Sequence, residues 1–149
     1  VWCISYVFTR WKKIDFLVLN DGEARLFCNN QNLIQAGKEL LELGPKYVAI
    51  KKGEHGALLF SKNDIFSAPA YPLENLKDPT GCGDSFAGGL IGYLAKKKDT
   101  TKESIRKAVI YGSAIASFCA QDFSLEYSKN TQLKDIKERY AYLGKIRQF

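Results

Sequence analysis

The stretch Lys77-Asp78-Pro79-Thr80-Gly81-Cys82-Gly83-Asp84-Ser85-Phe86-Ala87-Gly88-Gly89 constrains this chain more than any other, because it reads as a turn opening directly into a helix. Pro79 fixes φ for the turn and bars an earlier helix start. Gly81 and Gly83 permit backbone conformations that a Cβ forbids, and they leave room for a ligand to approach the main chain. Beyond Asp84 the apolar residues Phe86, Leu90, Tyr93 and Leu94 recur at helical spacing. The first N–H groups of such a helix have no partner inside it and carry the positive end of its dipole. The pattern therefore predicts an anion site made of backbone.

Asp84, at the mouth of that site, has two readings. A carboxylate at a helix N-terminus can be a plain N-cap. Two glycines and a proline crowded ahead of it point further, to a base that takes a proton from a hydroxyl while the amides stabilise a transferring group. Phosphoryl transfer suits such a site, since its catalysis is mostly positioning and charge neutralisation.

Asp78-Pro79-Thr80-Gly81-Cys82-Gly83-Asp84 closely resembles the second signature, D-[TP]-T-G-A-G-D, of the ribokinase-like (PfkB-type) carbohydrate and nucleoside kinases. The departure within it is Cys82, where Ala is usual. Cys is small and often buried, so the backbone hole is expected to survive, with a thiol open to alkylation.

The 149 residues, 46% of them hydrophobic, suffice for one compact domain with a core. The net charge of +6 is spread through Lys-rich helices and turns without a dense basic arm or a nucleic-acid motif, so it reads as solvated surface that also favours an anionic ligand such as ATP. Cys3, Cys28, Cys82 and Cys119 lack C-x-x-C spacing, and with His55 the one histidine a zinc site has little to build with. Reduced thiols in a cytoplasm are the simplest account. No apolar run is long enough to span a bilayer. The apolar residues 1–8 precede Arg10, Lys12 and Lys13, the wrong order for a secretory signal, and the chain begins at Val, as a fragment would.

Residues 1–8 have strand-like composition without clear alternation, and 1–13 are left unassigned. Residues 14–19 read as a central parallel strand stopped by Asn20-Asp21-Gly22. Asn20 and Glu23 have the spacing of a capping box at the carboxyl end of that strand, the edge where open α/β sheets bind ligands. They also resemble the family's N-x-x-E motif, whose Asn and Glu hold water-bridged Mg²⁺ and phosphate. Helices are predicted over 24–29 and 31–43, the latter with Leu33, Ala36, Leu40 and Leu43 on one stripe. Strands follow at 47–50 and 57–60, joined by a turn through Gly53 and Gly56. That turn resembles the family's T-x-G-x-x-G segment, which lies against the nucleotide. Lys51 stands where Thr is usual, either a cation near the phosphates or a solvated Lys. Residues 64–72 read as one edge strand, because prolines cannot donate to a ladder.

The helix after Asp84 is expected to end near residues 96–98, with Gly88, Gly89 and Gly92 explained by close packing. The next helix is capped by Thr100 or Thr101, with Thr100 and Glu103 at capping-box spacing. Its small-residue run, residues 112–117, is either tight packing or, as in the family, the wall of an adenine pocket with Ser113 as a polar contact. Where the family commonly has a Gly-Ala turn after this helix, Asp122-Phe123-Ser124-Leu125 stands instead. Residues 131–149 are read as an amphipathic helix with Leu133, Ile136, Tyr140 and Leu143 inward.

The resemblance implies a partial three-layer α/β/α ribokinase-like fold. Residues 14–149 would be the carboxyl-terminal, ATP-binding half, without the family's first glycine signature, its lid or its sugar-side residues. It further implies phosphoryl transfer from ATP to an alcohol of a sugar or nucleoside. Asp84 would be the base, and the N–H groups of Gly81, Cys82 and Gly83 the anion hole. Lys51, Gly53, Gly56, Thr80 and Ser113 would lie on the nucleotide, and Asn20 and Glu23 would organise Mg²⁺. Asp78 is the candidate ligand for a K⁺, or an ordinary turn residue. Family members often dimerise through the lid, so a homodimer is an open expectation. The alternatives are a truncated, non-catalytic nucleotide-binding remnant and, third, charge-driven nucleic-acid binding.

Overall fold

The computed structural model describes residues 11–123 and 126–146; the reading of residues 1–8 lies outside them. The chain forms two compact units, residues 1–52 with 58–67 and residues 53–57 with 68–149. The sequence shows no boundary because the chain passes between units at strand ends rather than through a linker.

The first unit opens with a 3-10 turn at Trp11–Lys13 and continues through β1 (Phe16–Asn20), α1 (Asp21–Cys28), α2 (Leu33–Glu42) and β2 (Tyr47–Lys51). β3 (Ala57–Ser61) and β4 (Asp64–Ala68) follow, each lending one terminal residue to the second unit. The sheet order is β1-β2-β3-β4. β1 and β2 are parallel, paired from Phe16 with Tyr47 to Asn20 with Lys51. A parallel pair needs a long crossover, and α1 and α2 supply it. Trp11, Leu19, Ala24, Leu40, Val48, Ile50 and Phe60 form the buried core, with Leu33 and Leu43 packed against it. Gly37 leaves the space that the Phe60 ring occupies, since a Cβ there would sit 2.4 Å from the ring.

Two expectations need correction here. α2 starts at Leu33 rather than residue 31, because the Asn32 side chain accepts the N–H groups of Ile34 and Gln35 and so fixes the cap. The edge strand stops at Ala68 and does not reach residue 72, as Pro69 and Pro72 offer no N–H to a ladder.

The second unit carries α3 (Cys82–Lys97), α4 (Lys102–Ala120), α5 (Glu126–Asn130) and α6 (Leu133–Lys145). Thr101, not Thr100, caps α4, its hydroxyl accepting the Ser104 N–H at 3.3 Å. The expected box partner Glu103 is replaced by Asp99, which accepts from the Thr101 N–H, the Thr101 hydroxyl and the Ser104 hydroxyl. Packing of α3 on α4 runs through small residues: a Cβ on Gly89 would meet Ile115 at 2.7 Å, and one on Gly112 would meet the Phe86 carbonyl at 2.7 Å. Gly88 and Gly92, by contrast, face open space, so the packing explanation holds for one glycine of the three.

Tyr93, Tyr111 and Tyr140 stack in sequence at 4.5 and 4.4 Å between ring centroids, tying α3, α4 and α6 together. Arg139 lies 3.4 Å from the Phe118 centroid and 4.5 Å from that of Tyr71, and donates to Ser117 Oγ and Gln121 Oε1. In α6, Leu143 is buried but Leu133 is half exposed, contrary to its expected inward position, because it is the first residue of the helix. Among the described residues no helix is long and apolar enough to cross a membrane.

Candidate active site

The anion turn belongs to the second unit. Lys77 and Asp78 donate their N–H groups to the Ala120 carbonyl at 2.9 and 3.4 Å. Ala120 ends α4, so the approach to the turn satisfies one of that helix's orphan carbonyls. A Lys77–Asp122 ion pair at 3.6 Å adds to the anchorage. The Asp78 carboxylate accepts the Thr80 N–H at 2.9 Å, which gives this residue the turn role open to it.

Gly81 then takes φ +80° and becomes the N-cap of α3, without a side-chain capping bond. Only a residue lacking Cβ enters that region freely. The plain N-cap reading of Asp84 is thereby corrected. α3 begins at Cys82, and Asp84 is its third residue, an exposed carboxylate in the first turn. Of the three expected amides, Gly81, Cys82 and Gly83, that of Cys82 is engaged within the turn. Cys82 donates its N–H to the Pro79 carbonyl at 3.2 Å, closing the turn, while Ser85 bonds back to the Gly81 carbonyl at 2.9 Å. The N–H groups of Gly81, Gly83 and Asp84 belong to the set a helix start does not use internally.

Sulfur underlies this turn. Cys119, buried in α4, donates Sγ–H to the Thr80 carbonyl at 3.3 Å, and Cys82 points its thiol at the Asp78 carbonyl at 4.0 Å. Burial first, then the hydrogen-bonded Cys119 thiol and the Asp78 charge, push the Cys82 thiol up to about 12. The expected alkylation-sensitive thiol is therefore a protonated, poorly nucleophilic one at neutral pH. Sequence reading missed Cys119 as a support of the turn, and missed Tyr127, whose hydroxyl lies 2.8 Å from Ser85 Oγ.

The other nucleotide-side residues separate. Gly56, with φ +81°, is crowded by its own chain, as a Cβ would fall 2.1 Å from the Ala68 carbonyl oxygen. Gly53 is exposed with nothing within 4 Å of its Cβ position. Ser113 is buried in α4 and Thr80 is exposed.

In the first unit Asn20 and Glu23 form the full capping box. Asn20 Oδ1 accepts the Glu23 N–H and Glu23 Oε2 accepts the Asn20 N–H, both at 2.7 Å. Parallel register sets Lys51 beside Asn20 at the carboxyl ends of β1 and β2, a juxtaposition that only strand pairing reveals. Two carbonyl or carboxylate groups do not make an all-protein cage, and among the described residues no cluster of three His, Cys, Asp or Glu could hold a metal. The pair does fit Mg²⁺, which usually keeps several waters and takes only one or two protein groups together with phosphate.

A family model described as pfkB family carbohydrate kinase matches residues 6–132. Fructokinase-2 of Oryza sativa subsp. japonica is 31% identical over 114 residues, covering 73% of this chain and 33% of that protein. The aminoimidazole riboside kinase of Salmonella enterica, solved with aminoimidazole riboside and an ATP analog, superposes with a TM-score of 0.79 at 20% identity over 91% of this chain and 45% of that one. An E. coli structure described as a candidate ribokinase II in complex with ATP and Mg²⁺ gives 0.75 at 24% identity, over 93% of this chain and 43% of that one. These matches establish the ribokinase-like fold. The chain spans about a third of the length of the curated relatives it matches.

Proposed function

The chain belongs to the pfkB family of carbohydrate kinases, and on that premise we propose that it carries the ATP-side half of a phosphotransferase acting on an alcohol group of a sugar or nucleoside. The observation that carries the proposal is the start of α3: a Gly81 cap with no side chain to occupy the helix's positive end, and an exposed carboxylate two residues beyond Cys82.

In this reading the Gly81 and Gly83 amides take the transferring phosphoryl as its charge builds. Cys82 contributes by shaping the turn, its own N–H being held by Pro79. Asp84 accepts the proton of the attacking hydroxyl. Asn20 and Glu23 would hold Mg²⁺ through its water shell, with Lys51 beside Asn20 as a neighbouring positive charge. When bound, Mg²⁺ supplies neutralisation of phosphate charge. Gly53, Gly56, Thr80 and Ser113 are assigned to the nucleotide and Asp78 to a K⁺. A cytoplasmic enzyme, with or without homodimerisation, fits this chemistry.

The test is Asp84→Asn in a protein that turns over. Turnover is expected to fall by roughly a hundredfold or more with Mg-ATP affinity little changed; near-normal kcat refutes the role of Asp84. A second reading is a nucleotide-binding remnant without an acceptor site. It predicts calorimetric Mg-ATP binding with no turnover of any sugar or nucleoside in a panel.

A further inference from the structure

We propose that Cys82 and Cys119 are an oxidisable dithiol beneath the anion turn, a modification site whose disulfide deforms the turn and weakens phosphate binding; the second half of this statement rests on the functional reading above. Both thiols face one short loop. Cys119 Sγ reaches the Thr80 carbonyl at 3.3 Å and Cys82 Sγ the Asp78 carbonyl at 4.0 Å, two carbonyls of one turn. Cys119 Sγ is also 3.7 Å from where a Cβ on Gly81 would stand, next to Cys82 in the chain. A disulfide needs its sulfurs at about 2.05 Å. Forming that bond draws both sulfurs off the two carbonyls that now orient the loop.

The co-reactant is a hydroperoxide. Half-buried Cys82 is the more accessible of the two sulfurs. Its sulfur attacks the peroxide, the O–O bond breaks, and a sulfenic acid and water form. The Cys119 sulfur then displaces the sulfenic oxygen as a second water, so two S–H bonds are lost, one S–S bond forms, and peroxide is the species reduced. A thiol kept protonated attacks slowly.

The experiment uses the full chain carrying Cys3→Ser and Cys28→Ser, which leaves these two thiols. It is incubated with hydrogen peroxide, quenched with an alkylating agent under denaturing conditions, and analysed by thiol titration, peptide mass mapping and Mg-ATP calorimetry. Expected are paired loss of both thiols, a 82–119 cross-linked peptide released by dithiothreitol, and Mg-ATP affinity weakened roughly tenfold or more. Adding Cys119→Ser should abolish the cross-link and the oxidant's effect on binding. The proposal is overturned if both thiols remain titratable, if only higher oxides of single cysteines form, or if the cross-linked protein binds Mg-ATP as the reduced one does. A cross-link in a protein that binds no Mg-ATP even when reduced supports the dithiol and refutes the phosphate reading instead.

Discussion

Replacing Gly112 with Ala tests how the helix that starts at the anion turn is held in place. The new Cβ would lie 2.7 Å from the Phe86 carbonyl oxygen and 3.1 and 3.3 Å from two carbons of its ring. The oxygen is α3 backbone, so relief requires α3 and α4 to part rather than one side chain to rotate. Overpacking of this kind costs about 1–3 kcal/mol. Exchanging a helix-interior Gly for Ala returns about 1 kcal/mol. A net destabilisation of up to about 2 kcal/mol follows, or a Tm lowered by up to about 6 °C in a chain of this length. Gly88→Ala is the internal control. It has the same chemistry with nothing within 4 Å of the new Cβ, and it should stabilise by up to about 1 kcal/mol. Urea unfolding followed by circular dichroism measures both. If Gly112→Ala proves as stable as Gly88→Ala, the close helix contact is not what places α3. Because Phe86 lies in the turn after Asp84, the Gly112 variant should also bind Mg-ATP more weakly at temperatures where it is fully folded.

Glu23→Gln separates capping from metal duty. The amide oxygen can still accept the Asn20 N–H, so stability should change by less than about 0.5 kcal/mol, whereas the Mg²⁺ concentration for half-maximal nucleotide binding should rise several-fold. Unchanged Mg²⁺ dependence would leave Glu23 as a cap alone. Arg139→Ala strips two charged hydrogen bonds and the stacking on Phe118 and Tyr71, and should cost about 1.5–3 kcal/mol in urea unfolding. Arg139→Lys should recover little, since an ammonium cannot reproduce the fork. Asp99 is held below its ordinary value first by the Ser104 hydroxyl and then by the Thr101 N–H and hydroxyl. Its folded-state value is depressed, so its contribution is complete above the ordinary 3.8 and is lost as pH falls through the lowered value. The stability gap between parent and Asp99→Ala should therefore be constant from neutral pH to about 5 and close below it; a gap unchanged at pH 2 would contradict the capping geometry.

Much of this was legible in the residues because local chemistry and global role coincide. Asn20 and Glu23 announce a helix start in any context, and the short apolar run from Phe16 to Asn20 announces a strand, though it stands at the end of the four-strand order with Leu19 alone buried rather than centrally as expected. Pairing was the hidden part. No local signal says that Lys51 stands beside Asn20, since that depends on parallel register between strands separated by two helices. Gly56 likewise carries no local sign of its crowding, since the atoms its Cβ would strike come from residues 68–70, over ten positions away. Cys119 carried no spacing signal at all. Its role appears once α4's last turn is brought under Thr80.

The helix caps carry the final step. α1, α2 and α4 each begin with a side chain accepting a first-turn amide, from Asn20, Asn32 and Thr101. α3 starts on a glycine in the left-handed region and forgoes that bond, worth about 1 kcal/mol. A stability-driven sequence would place Ser or Asp at position 81, but either would meet the φ of +80° with strain and set its Cβ 3.7 Å from Cys119 Sγ. On the proposed reading the Gly81 and Gly83 amides are left for an incoming anion, and Gly81→Ser should therefore weaken Mg-ATP binding more than it alters the unfolding midpoint.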